Sequence, residues 1–257
     1  MIFTTSKKMI VAGVLTLSIL TAGIPAAMAE EEAPSADFSV GLYSKYIWRG
    51  YELSNDSMVI QPSLSLSYMG FGANLWASLD TDFYDENTHK WFETDLTLSY
   101  DGAYEKLGYG VGWIYYAINA DGDADSQEFY GTLSLDVLLN PSLTIYYDTD
   151  NFQGDWYALL AIGHSFPLSE AISLDLGLSG GYYFINDGIA PGDDYSELHD
   201  GILSASVSFP VGEYVTITPE LYWSFPLSSK AKDFYVATSV DGDDSHVYGG
   251  ISASFSF

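Results

Sequence analysis

Three observations predict an all-β protein built as a transmembrane antiparallel β-barrel of about twelve strands. Segments of about ten residues alternate apolar and small or polar side chains, which is strand periodicity. No apolar run long enough to span a bilayer follows residue 29, so any crossing of a membrane must use strands. The connections between segments alternate between short and long, as expected of tilted strands with tight turns at one end and loops at the other.

The chain opens on Lys7 and Lys8, an apolar run from Met9 to Ile24, and Ala27-Met28-Ala29. A basic head, a short apolar stretch and an A-x-A end predict a secretory signal peptide over residues 1–29. An acidic tail over residues 30–36 follows, and the barrel is expected over 37–257. The 257 residues hold no cysteine, which excludes a disulfide framework and a thiolate metal site. With 35 acidic residues against 8 basic ones and a net charge of −27, nucleic acid is excluded as a partner, because phosphate binding needs a basic face.

The first strand segment, DFSVGLYSKYIWRG, places Phe38, Val40, Leu42, Tyr46 and Trp48 on one face. Ser39, Gly41, Tyr43, Lys45 and Arg49 share the other. MVIQPSLSLSY sets Ile60, Leu64, Leu66 and Tyr68 against Gln61, Ser63, Ser65 and Ser67. GANLWASLDTD alternates Leu75, Ala77 and Leu79 with Asn74, Ser78 and Asp80. WFETDLTLSY alternates Phe92, Leu96, Leu98 and Tyr100 with Glu93, Asp95 and Thr97. The pattern continues through LGYGVGWIYY, EFYGTLSLDVL, SLTIYYDTD, WYALLAIGHSF, ISLDLGLSGGYY, DGILSASVSF and VTITPELYWSF, and ends on HVYGGISASFSF. SLTIYYDTD and WYALLAIGHSF are the least regular, and YALLAIG also fits a buried helical turn.

Short connections such as MGFG, LNP and PVGEY are expected on the periplasmic side. Longer acidic ones, YELSNDS, TDFYDENTHK and PLSSKAKDFYVATSVDGDDS among them, are expected outside. Both termini then share the periplasmic side, which requires an even strand count. The competing soluble sandwich or lipocalin-like barrel fits less well, since the polar face is rich in serine and glycine and poor in lysine. Aromatic residues also gather at strand ends, as membrane girdles require: Trp48, Tyr51, Tyr68, Trp91, Tyr100, Tyr182, Trp223, Phe225 and Phe257.

YIWRGYELS (Tyr46 to Ser54), FETDLTLSY (Phe92 to Tyr100), GYGVGWIYY (Gly108 to Tyr116) and EFYGTLS (Glu128 to Ser134) appear in this order. Together they resemble the TorF-type porin family of proteobacterial outer-membrane proteins, whose function is uncharacterised. In place of the run of Ile or Val, Ser and Gln that usually follows Arg-Gly in that family, this chain has Tyr51-Glu52-Leu53-Ser54. The resemblance implies an outer-membrane barrel with a passive transport role. It also implies that Phe257 is the C-terminal aromatic presented to the barrel assembly machinery.

Parity places eleven charged residues on the small polar face: Lys45, Arg49, Asp80, Glu93, Asp95, Glu128, Asp136, Asp148, Asp175, Asp200 and Glu220. A charge facing lipid near the midplane costs about 2–4 kcal/mol for Lys or Arg, so these side chains are expected in the lumen. Two roles fit, and they are compatible: a bracing salt network, or a cation-favouring constriction. Arg49, a rigid five-donor fork, is expected to clamp carboxylates, with Glu93 and Asp95 as candidates.

The loop DGDADS sets Asp121, Asp123 and Asp125 at alternate positions, as at the start of a calcium loop. Ser126 stands where the glycine belongs and Thr132 where the bidentate glutamate belongs, so a solvated acidic loop is the expectation and no cofactor is implied. Such loops can bridge divalent ions to lipopolysaccharide phosphates. His89 and His199 sit at strand or loop starts, where a barrel-mouth hydrolase would keep an imidazole, but no HExxH, P-loop or GxSxG motif accompanies them. The expected function is an outer-membrane channel for passive diffusion of small solutes, favouring cations. The alternatives are a closed barrel acting through its acidic loops and a barrel-mouth hydrolase.

Overall fold

The alternation closes on itself. A computed structural model of the chain describes residues 33–82, 91–119, 125–186 and 195–256. In chain order they form β1 (Ser35–Tyr43), β2 (Ile47–Trp48), β3 (Tyr51–Glu52), β4 (Val59–Tyr68), β5 (Phe71–Asp80), β6 (Trp91–Tyr104) and β7 (Leu107–Ile118). β8 (Ser126–Leu135), β9 (Ser142–Asp148), β10 (Trp156–Pro167), β11 (Ser173–Ile185), β12 (Tyr195–Val211) and β13 (Val215–Pro226) follow, then a helix α1 (Ser229–Thr238) and β14 (His246–Ser256). β1 and β4 to β14 make one closed barrel, each strand antiparallel to the next in sequence, while β2 and β3 pair only with each other. The closing seam runs Asp37 opposite Ser256 to Tyr43 opposite Gly250, so β1 and β14 close the barrel on each other instead of standing as open edges.

The outer face is a band of large apolar side chains. Leu98 is 47% exposed, Val111 58%, Leu160 57% and Val247 65%, and together these neighbours form a surface suited to hydrocarbon rather than water. On the closing strand Ile251 belongs to that band, and Phe255 sits across from Phe38 with ring centroids 6.2 Å apart. Tight turns keep one end of the barrel short. Between β4 and β5, Met69 at φ +50° and Gly70 at φ +82° form a two-residue turn of the kind that matches strand twist.

Several features differ from the sequence expectation. β1 stops at Tyr43, so Tyr46 and Trp48 do not continue it on the lipid face; both are buried inside the barrel. Tyr51 is likewise buried, so neither it nor Trp48 belongs to an aromatic girdle. The β5–β6 ladder slips between Ser78 and Leu79, pairing Ser78 with Glu93 and Leu79 with Trp91. The extra residue, Phe92, turns from the outer face into the interior cluster, because a bulge inverts parity locally. Asp136 lies past the end of β8 in an exposed short turn, its N–H donating to the Lys106 carbonyl at 2.8 Å, so it does not line the lumen.

Candidate functional site

After β1 the chain leaves the barrel wall and folds inward. The Ser44 N–H still reaches the Gly249 carbonyl (2.9 Å), and Tyr46 then begins a small hairpin. Ile47 pairs with Glu52 and Trp48 with Tyr51, and the Leu53 N–H closes on the Tyr46 carbonyl at 2.8 Å. The connecting residues, Arg49 at φ +43° and Gly50 at φ +81°, are both left-handed, which gives the two-residue turn that hairpins favour. Glycine takes this conformation freely, whereas arginine does so at a cost of about 1–2 kcal/mol. A Cβ on Gly50 would also lie 2.3 Å from the Tyr235 ring.

The strain at Arg49 is offset by what its side chain finds. Nη1 and Nη2 donate to Glu128 Oε1 and Oε2 at 2.8 Å each, a two-pronged ion pair with both partners buried. The Tyr116 hydroxyl donates to the same carboxylate at 2.8 Å. The guanidinium carbon lies 4.3 Å from the Trp48 ring centre, 4.4 Å from Tyr157, 4.9 Å from Tyr146 and 5.7 Å from Tyr183. Such ring faces attract a cation, and more strongly where water is excluded. The hairpin is tied to other walls as well. Tyr46 donates its hydroxyl to Glu93 Oε2 at 2.8 Å, and the Arg49 carbonyl lies 2.9 Å from His199 Nε2.

The last long loop covers the hairpin. Ser228 caps α1 by accepting from the Ala231 N–H at 3.1 Å. Ala231, Phe234 and Tyr235, at helical spacing, form its one buried face. Phe234 meets Tyr51 edge-on with centroids 4.5 Å apart and His199 at 4.7 Å. The Tyr235 hydroxyl lies 2.8 Å from Ser224 Oγ, and its ring stacks on His246 at 5.6 Å. Glu52 joins loop to hairpin: its Oε2 accepts from the Val240 N–H (2.9 Å) and Ser239 Oγ (3.1 Å), and its Oε1 from Lys45 (2.8 Å). The hairpin borders a cavity of about 70 Å³ in which tyrosine is the commonest lining residue, with Lys45, Arg49, Gln61, Asp200 and Ser204 adding charged and polar groups.

The expected lumen charges are mostly engaged. Arg49 clamps Glu128, not Glu93 and Asp95 as the spacing suggests. Lys45 pairs with Glu52 and Asp56, at 2.8 and 2.5 Å. Asp80 accepts from the Ser57 hydroxyl and from the Asn55 and Asp82 N–H groups. Asp148 accepts from Ser126 Oγ (2.6 Å) and the Phe152 N–H (3.1 Å). Asp200 holds the Tyr157 hydroxyl between its oxygens at 2.8 and 3.0 Å. Glu220 gathers the hydroxyls of Tyr43, Tyr222 and Ser252, and Asp175 accepts from Ser173 Oγ. Both carboxylate oxygens of Asp95 are buried, without a hydrogen-bond donor among the described residues. At the long-loop rim, burial pushes the Asp155 carboxyl up to about 6, against the Asn186 N–H that pulls it down.

Both nitrogens of His199 are occupied, Nδ1 by the Tyr195 hydroxyl (2.5 Å) and Nε2 by the Arg49 carbonyl, which leaves no free imidazole base there. His89, Asp121, Asp123 and Phe257 lie outside the described residues. Asp125 accepts from the Tyr115 hydroxyl and the Ile118 N–H, and among the described residues no three carboxylate or imidazole groups converge on a metal position. Sequence reasoning missed Glu52, Phe234, Tyr235 and the inward turn of Trp48. One signal was present: serine before an Ala231, Phe234, Tyr235 spacing marks a capped amphipathic turn.

Residues 29–150, a little under half of the chain, match a family described as a bacterial protein of unknown function (Gcw_chp). None of the curated proteins matches the chain in sequence. Among solved structures, the NanC porin superposes with a TM-score of 0.54 at 12% identity, covering 86% of this chain and 98% of its own. An outer-membrane channel from Pseudomonas putida F1 superposes with a TM-score of 0.51 at 11% identity, covering 89% of this chain and 97% of its own. At these identities the likeness concerns the fold: a closed, twelve-stranded antiparallel barrel of the outer-membrane kind.

Proposed function

We propose that the protein is a narrow outer-membrane channel for small solutes, favouring cations, with the inward hairpin as its constriction. The observation that carries this reading is the charge balance of the lumen. Arg49 and Lys45 are each spent on carboxylates. Among the described residues, Asp95, Asp148, Asp200 and Glu220 form no ion pair with lysine or arginine. A lumen with surplus carboxylate draws cations and repels anions. The likeness to a porin and to an outer-membrane channel supports the same reading.

In this reading the signal peptide exports the chain and Phe257 serves the assembly machinery. The long acidic loops face outward toward lipopolysaccharide. Planar-bilayer recording tests the channel: discrete steps with a cation-side reversal potential are expected, and larger steps after Arg49→Ala. A second reading is favoured by the packing of α1 against the hairpin and against β12 and β13 at the long-loop end. A barrel closed in this way, acting through its outer loops, would give no steps in either protein despite correct folding.

A further inference from the structure

The space that Arg49 fills has the make-up of a binding site in its own right. Of the groups around the guanidinium, only Trp48 rides on the hairpin. Glu128 on β8, Tyr146 on β9, Tyr157 on β10 and Tyr183 on β11 belong to the barrel wall. The wall also gives them contacts of its own, independent of the hairpin. Glu128 is fixed by the Tyr116 hydroxyl and Tyr157 by Asp200, while Tyr157 packs on Tyr146 (6.2 Å) and edge-on against Tyr183 (5.5 Å). A carboxylate presenting both oxygens beside several aromatic faces suits a planar cation with paired N–H donors. Arg49, Tyr146 and Tyr157 also wall the 70 Å³ cavity, while Glu128 and Tyr183 line a smaller neighbouring pocket that shares Trp48 and Tyr116 with it, so the cage lies between the two.

We infer that the β8–β11 wall carries a binding site for guanidinium-bearing solutes, and that Arg49 is its tethered occupant. A tethered group acts at high effective concentration, so free solute is excluded while the hairpin is seated and takes its place when the hairpin withdraws. Solute and constriction then compete for one cage. This deepens the channel reading by naming a solute class and rests on that reading only for transit.

The test titrates refolded protein in detergent micelles with methylguanidinium chloride, following tyrosine and tryptophan fluorescence and the melting temperature. Arg49→Ala empties the cage, and Arg49→Gly does so while accepting the positive φ. Both variants are expected to bind saturably, at least about tenfold more tightly than the wild type, with a rise in melting temperature. Adding Glu128→Gln to Arg49→Ala should abolish binding. Tetramethylammonium, which lacks N–H donors, should bind more weakly. Equal response of variant and wild type, or binding indifferent to Glu128→Gln, overturns the inference. Should neither variant refold unaided, a refolding yield restored by methylguanidinium supports the site, and an unchanged yield counts against it. The titration reads binding without current, so binding with no steps in the planar-bilayer recording sinks the channel reading alone, and steps without binding sink only the site.

Discussion

Toward the short turns, the inner face of the barrel carries small side chains that need little from one another. Asn74 bridges Ser63 and Ser65 at 2.7 and 2.8 Å, and Thr132 meets Thr144 at 2.9 Å across the β8–β9 pair. Toward the long loops, the wall carries Trp76, Glu93, Tyr116, Glu128, Tyr146 and Asp200, all buried, with Trp76 and Glu93 meeting Tyr46 and Glu128 meeting Arg49 of the hairpin. The first region is held by neighbours on adjacent strands. The second is held by contacts across the lumen, between residues far apart in the chain. The difference separates closing a barrel, which repetition achieves, from occupying it, which depends on single residues.

The sharpest way to break this comparison uses one strand. Glu128 and Thr132 share the inner face of β8. Glu128→Ala leaves the Arg49 charge buried without a partner and is expected to cost about 3–5 kcal/mol. Thr132→Ala removes one neutral hydrogen bond, a loss of about 1 kcal/mol. Urea unfolding of the refolded barrels measures both, and equal losses would erase the distinction.

Gly50→Ala comes next, at about 1–3 kcal/mol, because a side chain there needs a left-handed backbone and meets Tyr235. Far-UV circular dichroism should stay that of a barrel while near-UV signals from the hairpin aromatics change. Loss of the barrel itself would mean that the hairpin is part of the closure. Glu52→Gln weakens the tether between hairpin and the end of α1, with an expected loss of about 1–2 kcal/mol. Its sign is faster proteolysis in the α1 loop, with no change in the short turns.

The smallest effect concerns pH at the rim. Folding favours the protonated form of Asp155, so its contribution is complete below the ordinary carboxylate value of 3.8 and is lost as pH rises through about 6. Stability should therefore increase slightly on acidification from pH 7 to pH 4 at this site. Asp155→Asn keeps an acceptor for the Asn186 N–H and should flatten that component. An unchanged pH profile would remove Asp155 from the account.

Much of the fold was legible because parity is local. Phe38, Leu98, Val111 and Ile251 face outward for the reason the alternation states, and the closing pair of β1 and β14 follows from an even strand count. Parity misled where it was broken. The bulge beside Phe92 turned an apolar residue inward, and the end of β1 at Tyr43 released Tyr46 and Trp48 from the wall. The short helix α1 was read as an acidic loop because its single apolar face spans only Ala231, Phe234 and Tyr235.

By itself, then, the sequence determined the barrel, its strand number and the facing of residues along unbroken wall strands, since a face repeats every second residue and needs no distant partner, but not the facing of Tyr46, Trp48 or Phe92. Only the tertiary structure decided that Arg49 meets Glu128, 79 residues away, and not the nearer Glu93 and Asp95. Parity assigns a face but neither a height nor a neighbour across the lumen. Those depend on where the chain leaves the wall, and the inward turn at Arg49 and Gly50 is held by the cage that receives it.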